Sequence, residues 1–187
     1  MDTCKHVLVC GGAGYIGSHM VRSLVEKGCE PVVFDNLSTG RHESVKYENV
    51  TVIRGDLMDK QSLRRVFAEY SFDAVVHFAG LIAVGESVKS PLTYYQNNVG
   101  GTLNLIEAMV EAHVLKLVFS STAAVYGNPQ TQYLSEDHPC CPLNPYGRSK
   151  LMIENILEDC AQACNLRSVA LRYFNAAGAH PSGEIGE

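Results

Sequence analysis

Short runs of β-branched and apolar residues alternate with stretches of helical period along the chain. His6–Cys10 (HVLVC), Pro31–Phe34 (PVVF), Thr51–Arg54 (TVIR), Ala74–His77 (AVVH), Leu115–Ser120 (LKLVFS) and Ser168–Tyr173 (SVALRY) are apolar at nearly every position. That is the pattern of strands covered on both faces. Between them, Ile16–Lys27, Lys60–Tyr70, Pro91–His113 and Pro145–Asn165 repeat apolar positions at helical spacing and predict helices. Parallel strands need crossovers, and helices at this pitch supply them. The fold class is therefore α/β, a Rossmann-type doubly wound parallel sheet with helices on both faces. Right-handed crossovers predict the strand order 3-2-1-4-5-6. Gly127–Pro142, rich in Pro, Asn, Gln and Asp, reads as a surface loop, equally a lid or a plain connection.

The first strand runs into Gly11-Gly12-Ala13-Gly14-Tyr15-Ile16-Gly17. Two registers fit: G-x-x-G-x-x-G on Gly11, Gly14 and Gly17, or G-x-G-x-x-G on Gly12, Gly14 and Gly17. In either, an early glycine makes the tight turn, Gly14 lets a pyrophosphate approach the backbone, and Gly17 lets the helix pack closely. Unpaired N–H groups and the dipole at the helix start favour the phosphates. Asp35 ends the second strand at the spacing where a carboxylate accepts from an adenosine ribose. A 2′-phosphate would be repelled there, which favours NAD, although nearby Arg41 keeps NADP open.

At 187 residues the chain suits one well-buried domain. A net charge of -5, with the 15 Lys and Arg scattered, argues against nucleic acid and against an anionic membrane surface. No apolar run reaches the ~20 residues of a transmembrane helix, and Met1–His6 leads straight into a strand without the form of a secretory signal. The seven cysteines (Cys4, Cys10, Cys29, Cys140, Cys141, Cys160 and Cys164) match no zinc framework and read as reduced thiols of a cytoplasmic protein. Cys160 and Cys164 share a helical face, which reads as packing in preference to a metal site. No metal is expected. The glycosylation patterns at Asn36 and Asn49 carry no weight without a secretion signal.

Ser120-Ser121-Thr122 follows the fifth strand, and Asn144 and Pro145 open a helix as N-cap and first residue. Tyr146 and Lys150 then lie at i and i+4 on one face. A phenol with pKa near ~10 is a poor base at neutral pH. An ammonium beside it favours the phenolate, so Tyr146 reads as general base and Lys150 as its tuner and as a ribose ligand. Thr122 is placed to hold the same substrate oxygen.

Taken in order, GGAGYIGSH (Gly11–His19), DNLSTG (Asp35–Gly40), GDL (Gly55–Leu57), HFAG (His77–Gly80), VGES (Val84–Ser87), YYQNNVGGT (Tyr94–Thr102), FSSTAAVYG (Phe119–Gly127), NPYGRSK (Asn144–Lys150) and LRYFNAAGAHPSG (Leu171–Gly183) resemble the UDP-glucose 4-epimerase (UDP-galactose 4-epimerase) family of extended short-chain dehydrogenase/reductases. The resemblance covers essentially the whole chain. It implies NAD held by Gly11, Gly12, Gly14, Tyr15, Ile16, Gly17, Asp35 and Asn36, with Asp56 and Leu57 at the adenine. Phe78, Ala79 and Gly80 would line the pyrophosphate and nicotinamide side, joined by Asn97, Tyr146, Lys150 and a Phe174 packed on the nicotinamide. UDP-glucose or UDP-galactose would be held by Thr122, Tyr146 and Asn175. Plain structural readings stand beside these: Phe78 and Phe174 as core residues and Asn97 as a helix cap. The resemblance also implies a homodimer through the two long helices.

Two alternatives stay open. One is another nucleotide-sugar epimerase or a 4,6-dehydratase, although dehydratases carry Asp-Glu where this chain has Ala123 and Ala124. The other is a non-catalytic NAD-binding module. Many family members have lysine at the position of Ile82, and members continue past Gly186-Glu187 into a smaller substrate domain. The expectation is therefore residues 1–187 as the NAD-binding domain with the catalytic Thr/Tyr/Lys, the C-terminal substrate domain absent and activity alone low.

Overall fold

The computed structural model describes residues 5–186, so the readings made at Met1–Cys4 and at Glu187 lie outside the described residues. The strands are β1 (His6–Cys10), β2 (Glu30–Asp35), β3 (Thr51–Arg54), β4 (Ala74–His77), β5 (Lys116–Thr122) and β6 (Arg167–Tyr173). All pair in parallel in the order β3-β2-β1-β4-β5-β6, as the crossover rule requires. The helices are α1 (Tyr15–Glu26), α2 (Lys60–Glu69), α3 (Val84–Lys89), α4 (Pro91–Tyr94), α5 (Gly101–Glu111) and α6 (Pro145–Cys164).

Alternate strand residues enter two cores. Leu8, Phe34, Val75 and Phe119 pack on one face with Leu63 of α2, Leu105 and Met109 of α5, and Ile153 and Leu157 of α6. Val7, Val9, Val33 and Val76 pack on the other with Val21 of α1 and with Val45, which lies in a 3-10 turn at His42–Val45. Covering both faces buries the central strands, and it fails at the margins. β3 is partly exposed and Val169 of β6 is 56% exposed, contrary to the expectation from their apolar runs. Both are edge strands, with a neighbour on one side only.

Side-chain caps fix the starts of two helices, α2 and α6. Asp59 caps α2 by accepting from the Gln61 and Ser62 N–H groups. Asn144 caps α6 by accepting from the Gly147 N–H at 2.8 Å, and Asn165 closes that helix in the left-handed region. The single helix expected over Pro91–His113 is instead α4 and α5 joined by a π-helical turn, Tyr95–Gly100. Tight packing accompanies the break: a Cβ on Gly101 would sit 3.1 Å from the Leu57 Cβ. The Gly127–Pro142 segment is an Ω-like loop, its ends so close that a Cβ on Gly127 would meet the Cys141 carbonyl oxygen at 2.0 Å. His138 packs inside it, accepting from the Gln130 N–H at Nε2 and lying 3.0 Å from the Pro139 carbonyl at Nδ1. Cys10, Cys140, Cys141, Cys160 and Cys164 carry free thiols. Among the described residues no helix is long and apolar enough to cross a membrane, and no cluster of His, Cys, Asp or Glu forms a metal site.

Candidate active site

The sheet reverses direction of growth between β1 and β4, and in doubly wound sheets the ligand crevice opens at the carboxyl ends of such strands. The turn after β1 rests on the turn after β4. Gly11 has φ of 76°, and a Cβ there would lie 2.4 Å from the Ala79 nitrogen. On Gly17 a Cβ would lie 2.1 Å from the Gly11 carbonyl oxygen, so close packing of α1 requires glycine. Gly14 differs. Its φ is -77° and a Cβ would come no nearer the chain than 3.5 Å, so the protein's own packing does not demand glycine there. As N-cap of α1, Gly14 also leaves the first-turn N–H groups without a side-chain acceptor. Open space before uncapped donors fits a pyrophosphate.

Asp35 is buried, its Oδ2 accepting from the Ala13 N–H at 3.0 Å and its Oδ1 from the Leu37 N–H at 2.8 Å. Each oxygen keeps a lone pair for a ribose hydroxyl. Asn36 donates to Asp56 at 3.0 Å, joining the β2 and β3 ends, and the Leu57 carbonyl accepts from Asn104 at 2.9 Å. Tyr15 donates its hydroxyl to the Gly178 carbonyl at 2.7 Å.

Behind the β4 turn, the π-helical segment presents Asn98, a residue the sequence reading passed over in favour of Asn97. Asn98 Oδ1 accepts from the Leu81 N–H at 2.8 Å, and its amide donates to the Leu81 carbonyl and to Ser149 Oγ. Asn97 donates to Asn98 and caps no helix. The Asn98 carbonyl takes the Thr102 hydroxyl proton at 2.6 Å, so Thr102 must accept from His77 Nε2, 2.9 Å away. His77 is thus the Nε2–H tautomer, its Nδ1 unpartnered, and burial with the nearby Lys150 charge pulls its pKa down to about 3.

Thr122 ends β5 and Tyr146 lies in the first turn of α6, where the Thr122 side chain is near enough to act on the phenol. Thr122 Oγ also accepts from the Ala124 N–H at 3.1 Å. Burial raises the Tyr146 pKa, and the neighbouring Thr122 side chain pulls the other way. Lys150 does not contribute to that shift, which departs from the expected tuning. Its ammonium donates to the Ser120 carbonyl at 2.9 Å and sits 4.8 Å from the Phe119 ring centroid, a turn of α6 away. On the crevice side it is 3.7 Å from where a Gly80 Cβ would be. Burial brings the Lys150 pKa down from 10.5 to about 8.

That depression has a measurable sign. Between those values the unfolded chain holds a proton that the folded chain has lost, so stability rises with pH across the window. Below it, the buried ammonium costs stability. Urea unfolding of the wild type relative to Lys150→Met is expected to gain roughly 3 kcal/mol from the lower to the upper pKa. A difference that stays flat with pH would refute burial of a titrating Lys150.

The far wall is an ion-pair network absent from the sequence reading. Glu154 of α6 accepts from Ser121 Oγ and receives Arg172 of β6 at 2.7 Å. Arg172 also donates to the Tyr126 hydroxyl at 3.0 Å and the Glu136 carbonyl at 3.2 Å, tying down the Ω-like loop. Phe78 packs partly buried on the α1-side core. Phe174 is 67% exposed, which overturns the core reading, and it lines an open hollow of about 480 Å³ with Tyr126, Leu134 and Arg172. Asn175 is exposed beside it in sequence.

A doubly wound sheet with a glycine turn at the β1–β4 crevice and a Thr–Tyr–Lys constellation beside it defines a dinucleotide-dependent class. Residues 7–186 match the NAD dependent epimerase/dehydratase family, and the chain belongs to it. It is 53% identical to the UDP-glucose 4-epimerase of Bacillus subtilis, over 97% of this chain and 56% of that protein. With that of Azospirillum brasilense it shares 51% identity, over 97% and 52%. The crystal structure of UDP-glucose 4-epimerase from Brucella ovis in complex with NAD superposes with a TM-score of 0.95 at 47% identity, covering 98% of this chain and 56% of that one. The enzyme from Bifidobacterium longum in complex with NAD+ and UDP gives 0.93 at 43%, covering 98% and 57%. The chain spans about half the length of the relatives it matches.

Proposed function

We propose that the chain is the NAD-binding, catalytic portion of a UDP-glucose 4-epimerase, a cytoplasmic isomerase of galactose metabolism acting on UDP-glucose and UDP-galactose. The observation that carries this reading is the placement of Thr122 at the end of β5 and of Tyr146 and Lys150 one turn apart on α6, with the Lys150 ammonium beside Gly80 at the crevice. Identity near one half to enzymes of that name supports it.

Gly11, Gly12, Gly14 and Gly17, with the backbone of Tyr15 and Ile16, would cradle the pyrophosphate. Asp35 and Asn36 would take the adenosine ribose, with Asp56 and Leu57 at the adenine. Phe78, Ala79, Gly80, Asn97, Lys150 and Phe174 would hold the nicotinamide half. When bound, NAD supplies a reversible hydride acceptor at the sugar C4. Tyr146 takes the proton of the 4-hydroxyl and gives it back to the opposite epimer, while Thr122 holds that oxygen and Asn175 the nucleotide sugar. Accepting the proton requires the phenolate; the Lys150 ammonium, directed at the Ser120 carbonyl in this structure, would favour it by turning toward the phenol. Ala123 and Ala124 move no protons, which stands against a dehydratase. Exposed Leu92 on α4 and Met152 on α6 support a homodimer through these helices.

The test is spectroscopic. Protein purified without added cofactor and mixed with UDP-galactose is expected to develop the near-ultraviolet band of NADH. Sustained turnover of the 187 residues is expected to be poor, because the relatives carry almost as much chain again and remote binding energy aligns the reacting carbon. A chain that binds NAD and forms no such band would be a binding module instead.

A further inference from the structure

The last turn of α6 carries a thiol pair that the proposed reaction does not use. Cys160 and Cys164 lie at i and i+4, both half-buried against the helix-side core, so their thiols share one helical face. The Cys164 thiol also leans back on the Cys160 carbonyl, with Sγ to O of 3.0 Å. That carbonyl accepts as well from the N–H groups of Asn165 and Leu166, so losing the thiol proton would not orphan it.

We propose that Cys160 and Cys164 form a two-thiol binding site for a thiophilic centre that needs only two sulfur ligands, a monosubstituted arsenic(III) compound. Helical Cβ atoms at this spacing are about 5–6 Å apart, whereas a disulfide needs roughly 3.5–4.5 Å. An intramolecular disulfide would therefore unwind the turn. A bridging atom contributes two bonds, each ~2.3 Å in metal thiolates, and spans the gap without unwinding. Tetrahedral zinc would need two further ligands, and no group of three or more His, Cys, Asp or Glu is available among the described residues.

The step is a ligand exchange. In R–As(OH)2, two As–O bonds break and two As–S bonds form, each thiol proton leaves with a hydroxide as water, and arsenic stays trivalent. Burial and the neighbouring thiol push the Cys160 pKa up, which slows oxidants and alkylating agents that require thiolate. Exchange that expels water does not share that handicap, so the pair discriminates between reagent classes.

The experiment treats the folded 187-residue chain with phenylarsonous acid and reads the product by native mass spectrometry, with peptide mapping. The expected result is one bridged adduct on the peptide carrying both residues, stable to glutathione and removed by 1,2-ethanedithiol. Cys160→Ser or Cys164→Ser should weaken binding about 100-fold or more, the usual gain from a second tethered ligand, while Cys140→Ser/Cys141→Ser leaves it unchanged. Mapping on the wild type keeps the result decisive even if a serine variant fails to fold. No adduct on the folded chain, or an adduct mapped to Cys140 and Cys141, would overturn the proposal.

Discussion

Tyr146→Phe is expected to slow the NADH band formed with UDP-galactose by 10²- to 10⁴-fold, the usual contribution of a positioned proton-transfer group. The substitution removes one oxygen. It leaves the ring in place at the start of α6, and Lys150 keeps its bond to Ser120. NAD affinity should therefore stay near the wild-type value, and folding should change by about 1 kcal/mol or less, the scale of one hydroxyl's hydrogen bonding. Stopped-flow absorbance separates these quantities. A variant with an undiminished rate would remove Tyr146 from the chemistry and leave Thr122 as the proton carrier to be tested next.

Gly14→Ala and Gly17→Ala should fail in opposite ways. At Gly17 the new methyl meets the Gly11 carbonyl oxygen at 2.1 Å and the Gly12 Cα at 2.7 Å, both backbone atoms that cannot swing aside. Helix α1 must then lift off the sheet, and overpacking of this kind costs about 1–3 kcal/mol or more. Urea unfolding would register that loss with no ligand present. At Gly14 the nearest atom is 3.5 Å away and the backbone suits alanine, so stability should hold. There the methyl would instead occupy the space before the α1 donors, and calorimetric NAD affinity is expected to fall at least 10-fold. A Gly14→Ala protein that binds NAD as the wild type does would place the pyrophosphate elsewhere.

The sheet order was legible because it follows from two local signals, apolar runs and helical periods, combined with a handedness rule that has few exceptions. The glycine turn was legible because the roles of Gly11 and Gly17 are steric and local to one turn. Signals failed where the cause lies across the fold. The π-helical turn looks like ordinary helix in YYQNNVGG, and which of two adjacent asparagines points inward depends on one extra residue per turn. Asn98, not Asn97, is the one buried against Leu81 and Ser149. Edge strands carry the same apolar runs as central ones, so the exposure of Val169 had no sequence mark. Arg172 and Glu154 are 18 residues apart on different elements and share no motif. The i, i+4 spacing says that Lys150 shares the Tyr146 face, yet the direction of its ammonium is set by the Ser120 carbonyl, which no spacing rule reports.

The contact between Gly127 and Cys141 has a bearing on how such a scaffold diversifies. A segment whose entrance and exit touch can lengthen, shorten or be exchanged while the strand before it and the helix after it keep their places, since closing a longer loop costs little extra entropy. Variation there would reshape the wall beside Tyr126 and Phe174 without disturbing Thr122 and Tyr146, leaving one reaction centre to serve differently shaped guests.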